Sequence, residues 1–537
     1  MATPFDYILP YPSQRMPVLA GRCVATSQPL AAQAGLRIMQ QGGNAIDAAI
    51  ATAAALTVVE PTSNGLGSDN FALIWSGGGL HGLNASGRSA KRLDPTPYIE
   101  SGKIPPRGWD AVTVPGAVSG WVAAHAQFGR LPFEEVLAPA IRYARDGYLV
   151  SPLTASAWAY AAKVYDRDKF ADWHATFAPH GHAPEPGELF KCADMAGTLE
   201  TIASSKGEAF YRGDLAASII RAAEAGGSAL RLDDLAEHRA DWVRPMSLDY
   251  HGYRVHELPP NGQGIAALLA LGILFRHDLS AVPVDSARSL HLQIEAMKLA
   301  FADAHRYIAD PASMEIDPDS LLDDAYLDER AARIDPDHAQ DFKHGEPKPG
   351  GTVLLTTADD EGNMVTWIQS NYMGFGSGIV VPGTGISLQN RGHCFSTEAG
   401  HPNRIAPGKR PYHTIIPGFV THTDERGEQQ PLMAFGVMGG FMQPQGHAQV
   451  IIRMADYKQN PQAALDAPRW RVETGMKVVL EPGFDAKVVD ELKAIGHDVR
   501  VDAHKNANFG RGQCIYRLDD GYLAASDPRS DGQAVGY

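Results

Sequence analysis

A threonine hydroxyl attacks a carbonyl only when a base takes its proton. Thr352 follows Gly350 and Gly351 and opens a β-branched, apolar run, Thr352 to Thr357. A threonine that becomes the first residue of a chain brings its own base. Its α-amine titrates near about pH 8 and is partly neutral at physiological pH. Gly351, having no side chain, lets the backbone bend so that the Thr352 hydroxyl can reach the carbonyl before it. One residue could then cut the chain and afterwards serve as catalyst. Gly-Gly-Thr alone describes a loop entering a strand equally well, so the wider pattern decides. Other reactive constellations are missing: there is no GxSxG elbow, no HExxH helix and no GxxxxGK[ST] loop. The glycine runs Gly65-Leu66-Gly67 and Gly374-Phe375-Gly376-Ser377-Gly378 have no acid following in a strand–helix–strand unit, so no cofactor is expected. The 20 histidines, including His393, His401 and His413, lack metal-ligand spacing, and no metal is expected. Cys23, Cys192, Cys394 and Cys514 form no CxxC pair and are too sparse for a disulfide scaffold.

The elements that must hold Thr352 are legible in outline. Pro29 to Gln41 has helical spacing, with Pro29 suited to a first turn and Gly42-Gly43 to an end. Asn44 can cap a second, alanine-rich helix, AIDAAIATAAAL. A glycine-rich turn then leads into a buried strand at Phe71 to Trp75. Gln263 to Phe275 and Leu290 to Ile308 predict two more helices. From about Asp310 to Pro349 the chain turns rich in Asp, Pro and Gly and reads as a linker. Thr352–Thr357 and Met364–Ser370, separated by Asp-Asp-Glu-Gly-Asn, predict a hairpin. TIIPGFVTHT and PLMAFGVM read as strands and GHAQVIIRMADY as a helix.

Composition sets limits. At 537 residues, 44% hydrophobic and 20% charged, the chain is an ordinary globular protein with ample material for a core. Its net charge of −15 opposes non-specific nucleic-acid binding. The longest apolar stretch, Ala45 to Val59, falls short of a membrane span and contains Asp47. MATPFDYILPYPSQRMP has no basic region followed by an apolar one, so the expected compartment is the cytoplasm, with no membrane partner.

Long segments in order carry a resemblance: GGNAIDAAIATAAALTVVEP, VPGAVSGWVAAH, EAMKLAFADAHRYIADP, GGTVLL, SNYMGFGSGIVVPGTGISLQN, GKRPYHTIIP, FGVMGG and ASDPRSDGQAVGY. Together they resemble the γ-glutamyltranspeptidase family, from about residue 20 to the end. The resemblance implies an α+β fold, the four-layer αββα sandwich of N-terminal-nucleophile hydrolases. It implies a precursor that cuts itself between Gly351 and Thr352. Segment 1–351 would be the large subunit and 352–537 the small one, remaining together as one intertwined unit, within a possible higher homo-oligomer. Thr352 matches the family's nucleophile. Ser370 falls where the family has a second threonine touching it, and Gly439 and Gly440 match the glycines whose N–H groups form the oxyanion hole.

Departures bear on the substrate. In glutathione-cleaving members an acid after the glycine loop binds the α-amino group. Here the segment is Gln389-Asn390-Arg391-Gly392-His393-Cys394, with a cation in its place. A serine pair for the carboxylate is replaced by His413-Thr414. The family's carboxylate-binding arginine aligns with Ser86, leaving Arg88 as a nearby substitute. Asn371 and Tyr372, within the SNYMGFGSG motif, complete the expected substrate contacts. The changes resemble the acylase and amidohydrolase branch, with cephalosporin or glutaryl acylases and oxamate amidohydrolase. The expected activity is hydrolysis of a small or dicarboxylic acyl amide through an acyl-threonine. The alternatives are a γ-glutamyltransferase or glutathione hydrolase, and an uncleaved, non-catalytic binding protein.

Overall fold

The computed structural model describes residues 14–342 and 351–537. Most of the N-terminal stretch read above for a signal, and the end of the expected linker, lie outside those residues. Two seven-stranded antiparallel sheets organise the chain. The first runs, edge to edge, through Gln533–Gly536, Cys23–Thr26, Gly351–Ala358, Met364–Tyr372, Asp69–Ser76, Gly79–Asn84 and Asp241–Val243. The second runs through Val18–Ala20, Gly521–Ser526, Arg511–Leu518, Gln429–Met438, Gly418–Thr423, Tyr253–Glu257 and Met246–Tyr250. Each sheet interleaves strands from before and after Thr352. The hairpin expected at Thr352 therefore lies mid-sheet, buried on both faces.

Alternation along the strands explains the layers. Leu354 and Ile368 join Phe71, Phe419, Ala434 and Ile515 in one apolar cluster between the sheets. Val353, Leu355 and Trp367 point the other way, against helices that include Pro29–Gln40 and Ala45–Val59. On the second sheet Val420, Met433 and Phe435 pack against Gly264–Leu274, Ala287–Tyr307 and Met442–Ala455. The fold is thus a mixed α+β architecture of antiparallel sheets and helices.

The caps follow the sequence closely. Asn44 accepts from the backbone N–H groups of Ile46 and Asp47, and the Asp47 carboxylate takes the Asn44 N–H, a capping box. Asp47 is fully buried because it also receives the N–H groups of Arg130 and Leu131. The Asp310–Pro349 stretch differs from expectation. Its described part holds three-ten turns and the helix Asp324–Ala331, which buries Leu327 and Ala331 at i,i+4 spacing. Among the described residues no helix is long and apolar enough to cross a membrane.

Candidate active site

Thr352 is the second residue of the strand Gly351–Ala358 and is 1% exposed. The register with the neighbouring strand passes from Gly351 opposite Tyr372 to Val353 opposite Gln369, so Ser370 and Asn371 together face Thr352. That bulge re-aims side chains. It ends at Tyr372, which holds φ at +74°, a conformation rare for a bulky residue and tolerated where surroundings over-determine it. Here the Tyr372 N–H donates to Ser370 Oγ at 2.8 Å, and the Arg391 guanidinium lies 4.6 Å from the centre of the tyrosine ring.

Ser370 is the hub. Thr352 Oγ1 donates to Ser370 Oγ at 3.1 Å, and the Ser370 hydroxyl donates to the Gly351 carbonyl oxygen at 2.6 Å. One hydroxyl therefore touches both the nucleophile and the carbonyl that precedes it. Gln443 Nε2 approaches Thr352 Oγ1 at 3.5 Å, while its Oε1 accepts from the Ile416 N–H. Gln443 belongs to the first turn of the helix Met442–Ala455, immediately after Gly439 and Gly440. Those glycines have φ of +135° and +61°, which only glycine adopts readily, and Gln263 Nε2 holds the Gly440 carbonyl at 2.9 Å. Strand end, glycine pair and helix N-terminus thus converge beside Thr352, and the helix dipole adds partial positive charge there.

Arg511 holds Thr352 from the other side. Its Nη2 donates to the Thr352 carbonyl at 3.2 Å, and its Nη1 pairs with Glu60 at 3.0 Å. Ser27 donates to the second Glu60 oxygen at 2.5 Å. Burial pushes the Glu60 carboxyl above its ordinary range, opposed by Arg511. Sequence reasoning found neither Glu60, Arg511 nor Gln443.

The expected substrate residues divide. Arg391 is fully buried; its Nη1 donates to Thr414 Oγ1 at 2.7 Å, and its Nε and Nη2 have no hydrogen-bond partner among the described residues. It makes no ion pair with a carboxylate there. Asp69, on the strand beside Ser370, is the acid whose field it feels. Burial pushes Asp69 up to about 7, opposed by Arg391, by the N–H groups of Gly87 and Gly116, and by Arg410. His413 Nε2 lies 3.1 Å from Asp69, and burial holds this imidazole neutral well below its usual value, with Arg391 and Arg410 adding to that. The contact is accordingly an N–H donated to a carboxyl oxygen, not an ion pair of full charges. Asn371 turns away from Thr352: Ser68 donates to its Oδ1 at 2.8 Å, and its N–H holds the Ser63 carbonyl. Arg88 is half-exposed and paired with Asp310 at 2.6 Å, with Gly408 O as a second acceptor. Ser86 is buried and donates to Asn84.

Among the described residues one trio, His291, Glu295 and His497, has donor atoms close enough for a cation. Those atoms already engage one another. His291 Nε2 meets the Asp335 carbonyl, its Nδ1 meets His497 Nε2 at 2.9 Å, and Lys298 pairs with Glu295 at 2.7 Å. The ammonium sits where a cation would, 3.5 Å from His497 Nδ1.

A buried threonine at the head of a mid-sheet strand, with a hydroxyl partner and a glycine pair at a helix N-terminus, defines an N-terminal-nucleophile amide hydrolase. The γ-glutamyltranspeptidase family model matches residues 31–537, and the chain belongs to that family. It is 37% identical to the glutathione hydrolase-like YwrD proenzyme of Bacillus subtilis, over 94% of this chain and 97% of that one. It is 38% identical to the oxamate amidohydrolase proenzyme of Klebsiella pneumoniae, over 95% and 97%. The cephalosporin acylase from Bacillus halodurans superposes with a TM-score of 0.94 at 50% identity, covering 100% of this chain and 99% of that one.

Proposed function

We propose that the chain cuts itself between Gly351 and Thr352 and then hydrolyses amides whose small acyl group carries a negative charge, such as oxamate- or glutaryl-type amides. In this reading the stacked sheets and their helices form a four-layer αββα sandwich, built jointly by segments 1–351 and 352–537. Ser370 donates to the Gly351 oxygen and takes the Thr352 proton's hydrogen bond, so it favours attack of Thr352 Oγ1 on that carbonyl. The Gly351–Thr352 C–N bond breaks, the acyl passes to Oγ1, the leaving nitrogen gains a proton, and water releases the ester. The freed α-amine then serves as base for substrate: Thr352 Oγ1 forms an acyl ester, the amine leaves, and water restores the hydroxyl. N–H groups of Gly439 and Gly440, backed by the helix terminus, would stabilise the oxyanion, a contribution of about 3–4 kcal/mol per donor in such sites.

The observation that carries the acyl preference is Arg391, buried with two nitrogens unpartnered. A guanidinium left so costs several kcal/mol unless a ligand completes it, and its planar fork matches a carboxylate. Tyr372 lies against the Arg391 guanidinium, Thr414 accepts its hydrogen bond, and His413 orients Asp69, whereas Asn371 is held by Ser68 and Ser63. Arg88, engaged by Asp310, keeps a supporting place at the rim. A γ-glutamyl substrate would set its α-ammonium against Arg391, which disfavours the glutathione reading. The test is electrophoresis of purified protein. Wild type should give two bands whose masses sum to 57.7 kDa, the smaller beginning at Thr352, and Thr352→Ala one band. Two bands from the alanine variant would refute the assignment.

A further inference from the structure

A cleft of about 870 Å³ opens beside Gly351, with Glu60, Ser63 and Arg511 at its floor. Gly351, the residue before Thr352, lines the cleft, and Arg511, also in its lining, holds the Thr352 carbonyl, so the cleft lies next to the nucleophile's strand end. Asn390 lines it as well, while Arg391, the next residue, is buried beneath. An amide with its carbonyl at Thr352 and its acyl group toward Arg391 would therefore project its amine half into this cleft.

The walls say what that half should be. The helix Pro152–Val164 turns Leu153, Ala157, Tyr160 and Val164 toward the cleft, at helical spacing. Leu153 is 48% exposed and Tyr160 71%, unusual for side chains of that size beside a catalytic residue. The charged groups divide sharply. Glu60 is engaged by Arg511 and Ser27, and Arg529 by Glu481 and Asp527. Asp531 caps the helix, accepting from the N–H groups of Leu153 and Thr154 and from Ser151. Arg107 and Lys505 remain, and neither has a carboxylate within ion-pair distance among the described residues. Arg107 lies 5.8 Å from the Tyr165 ring and bonds its hydroxyl, and Lys505 donates to the Asp466 carbonyl with that residue's carboxylate in its field. The uncommitted charge of the cleft is positive, set against an apolar, partly aromatic wall.

We infer that this cleft binds the leaving amine, and that it selects an amine with an apolar ring carrying a carboxylate. The ring rests on the Leu153–Tyr160 face and the carboxylate on Arg107 and Lys505. This rests on the amide-hydrolase reading above but makes no use of Arg391.

The experiment holds the acyl group constant and uses two anilides of nearly equal reactivity, one of 4-aminobenzoate and one of 4-aminobenzamide. Cleaved enzyme should favour the aminobenzoate anilide about tenfold in kcat/KM, as expected for one charge-assisted contact. Arg107→Gln with Lys505→Gln should erase that ratio by lowering use of the aminobenzoate anilide to the level of the aminobenzamide one. Tyr160→Ala should raise KM for both anilides. Calorimetry with free 4-aminobenzoate supplies a readout independent of the acyl group: binding to wild type, and its loss in the double variant. Equal use of the two anilides, a ratio that survives in the double variant, or no binding of 4-aminobenzoate would each overturn the inference. Failure to hydrolyse any amide, with 4-aminobenzoate still bound, would count against the amide-hydrolase reading instead.

Discussion

Two regions of this molecule bury arginines, and they do so on opposite terms. Near the C-terminus Arg469 is 1% exposed and Arg529 5%. Asp527 bridges them, at 2.7 Å from Arg469 and 3.1 Å from Arg529, and Glu481 closes on Arg529 from the far side. Backbone carbonyls of Phe509, Gly510, Leu465 and Ala467 take most of the remaining donors, leaving Arg469 Nε alone without a partner. Beside the active site Arg391 is as deeply buried, yet has one hydroxyl, one weak thiol contact and an aromatic face. The desolvation cost is similar in both places. Where carboxylates meet it, the arginines tie strands of the second sheet to the following segments. Where none does, two guanidinium nitrogens stay without a hydrogen-bond partner, and the proposed function sets the acyl carboxylate against them. Burial alone therefore does not tell structure from function; the inventory of partners does.

Removing Asp527 by Asp527→Asn leaves two buried arginines with one carboxylate fewer, and should cost about 3–5 kcal/mol of stability. Arg391→Gln breaks no ion pair, and the hydrogen bond it removes is offset by relief of a buried charge, so its cost should stay at or below about 1 kcal/mol. Urea midpoints of the two variants measure this, and equal destabilisation would erase the distinction. The next effect concerns the hub. Ser370→Ala removes the donor to the Gly351 carbonyl and should slow self-cleavage by about 10²–10³-fold, the loss seen for a single oxyanion donor. The ratio of cut to uncut chain over time reads it. Cutting at the wild-type rate would remove Ser370 from the mechanism.

The smallest effect is in pH. Asp69, pushed up to about 7 by burial, is protonated below that value and ionised above it. Beside Arg391 the chamber therefore carries a net positive charge at acid pH and approaches neutrality as pH rises through about 7. His413 stays neutral throughout this range. KM for an anionic acyl amide should accordingly rise with pH across that window, by about threefold to tenfold for a charge at this range. KM for a neutral amide should stay flat, and Asp69→Asn should flatten both. A KM for the anionic amide that falls with rising pH would reverse the assigned sign.

Much of this was legible in the sequence, for reasons that also explain the gaps. The resemblance named Thr352 and Ser370 together, and the hairpin read from turn residues and strand character is the element that brings them face to face. Asn44 and Asp47 announce a helix start locally. Asp69, Glu60, Gln443 and Arg511 could not be found that way. Asp69 meets Ser370 through pairing of strands some three hundred residues apart in sequence. Arg511 reaches Thr352 from a strand that pairs with Gln429–Met438 in the other sheet. No local pattern encodes such contacts. The helix at Asp324–Ala331 was hidden because four of the nine residues of DDAYLDERA are acidic, and only Leu327 and Ala331 mark its buried face. Arg88 could be offered as a substrate contact in sequence because Asp310, its partner, arrives from a distant loop.

In the proposed function Arg391 is kept unpartnered for an anionic acyl group. The most direct test measures kcat/KM for two amides of one amine, one with a dicarboxylic acyl group and one with its neutral methyl ester, on cleaved wild type and Arg391→Gln. Arg391→Gln should lose about 10- to 100-fold on the charged amide alone, by a rise in KM, with the ester almost unaffected and self-cleavage intact. Equal losses on both amides, or an Arg391→Gln chain that no longer folds or cuts, would contradict it.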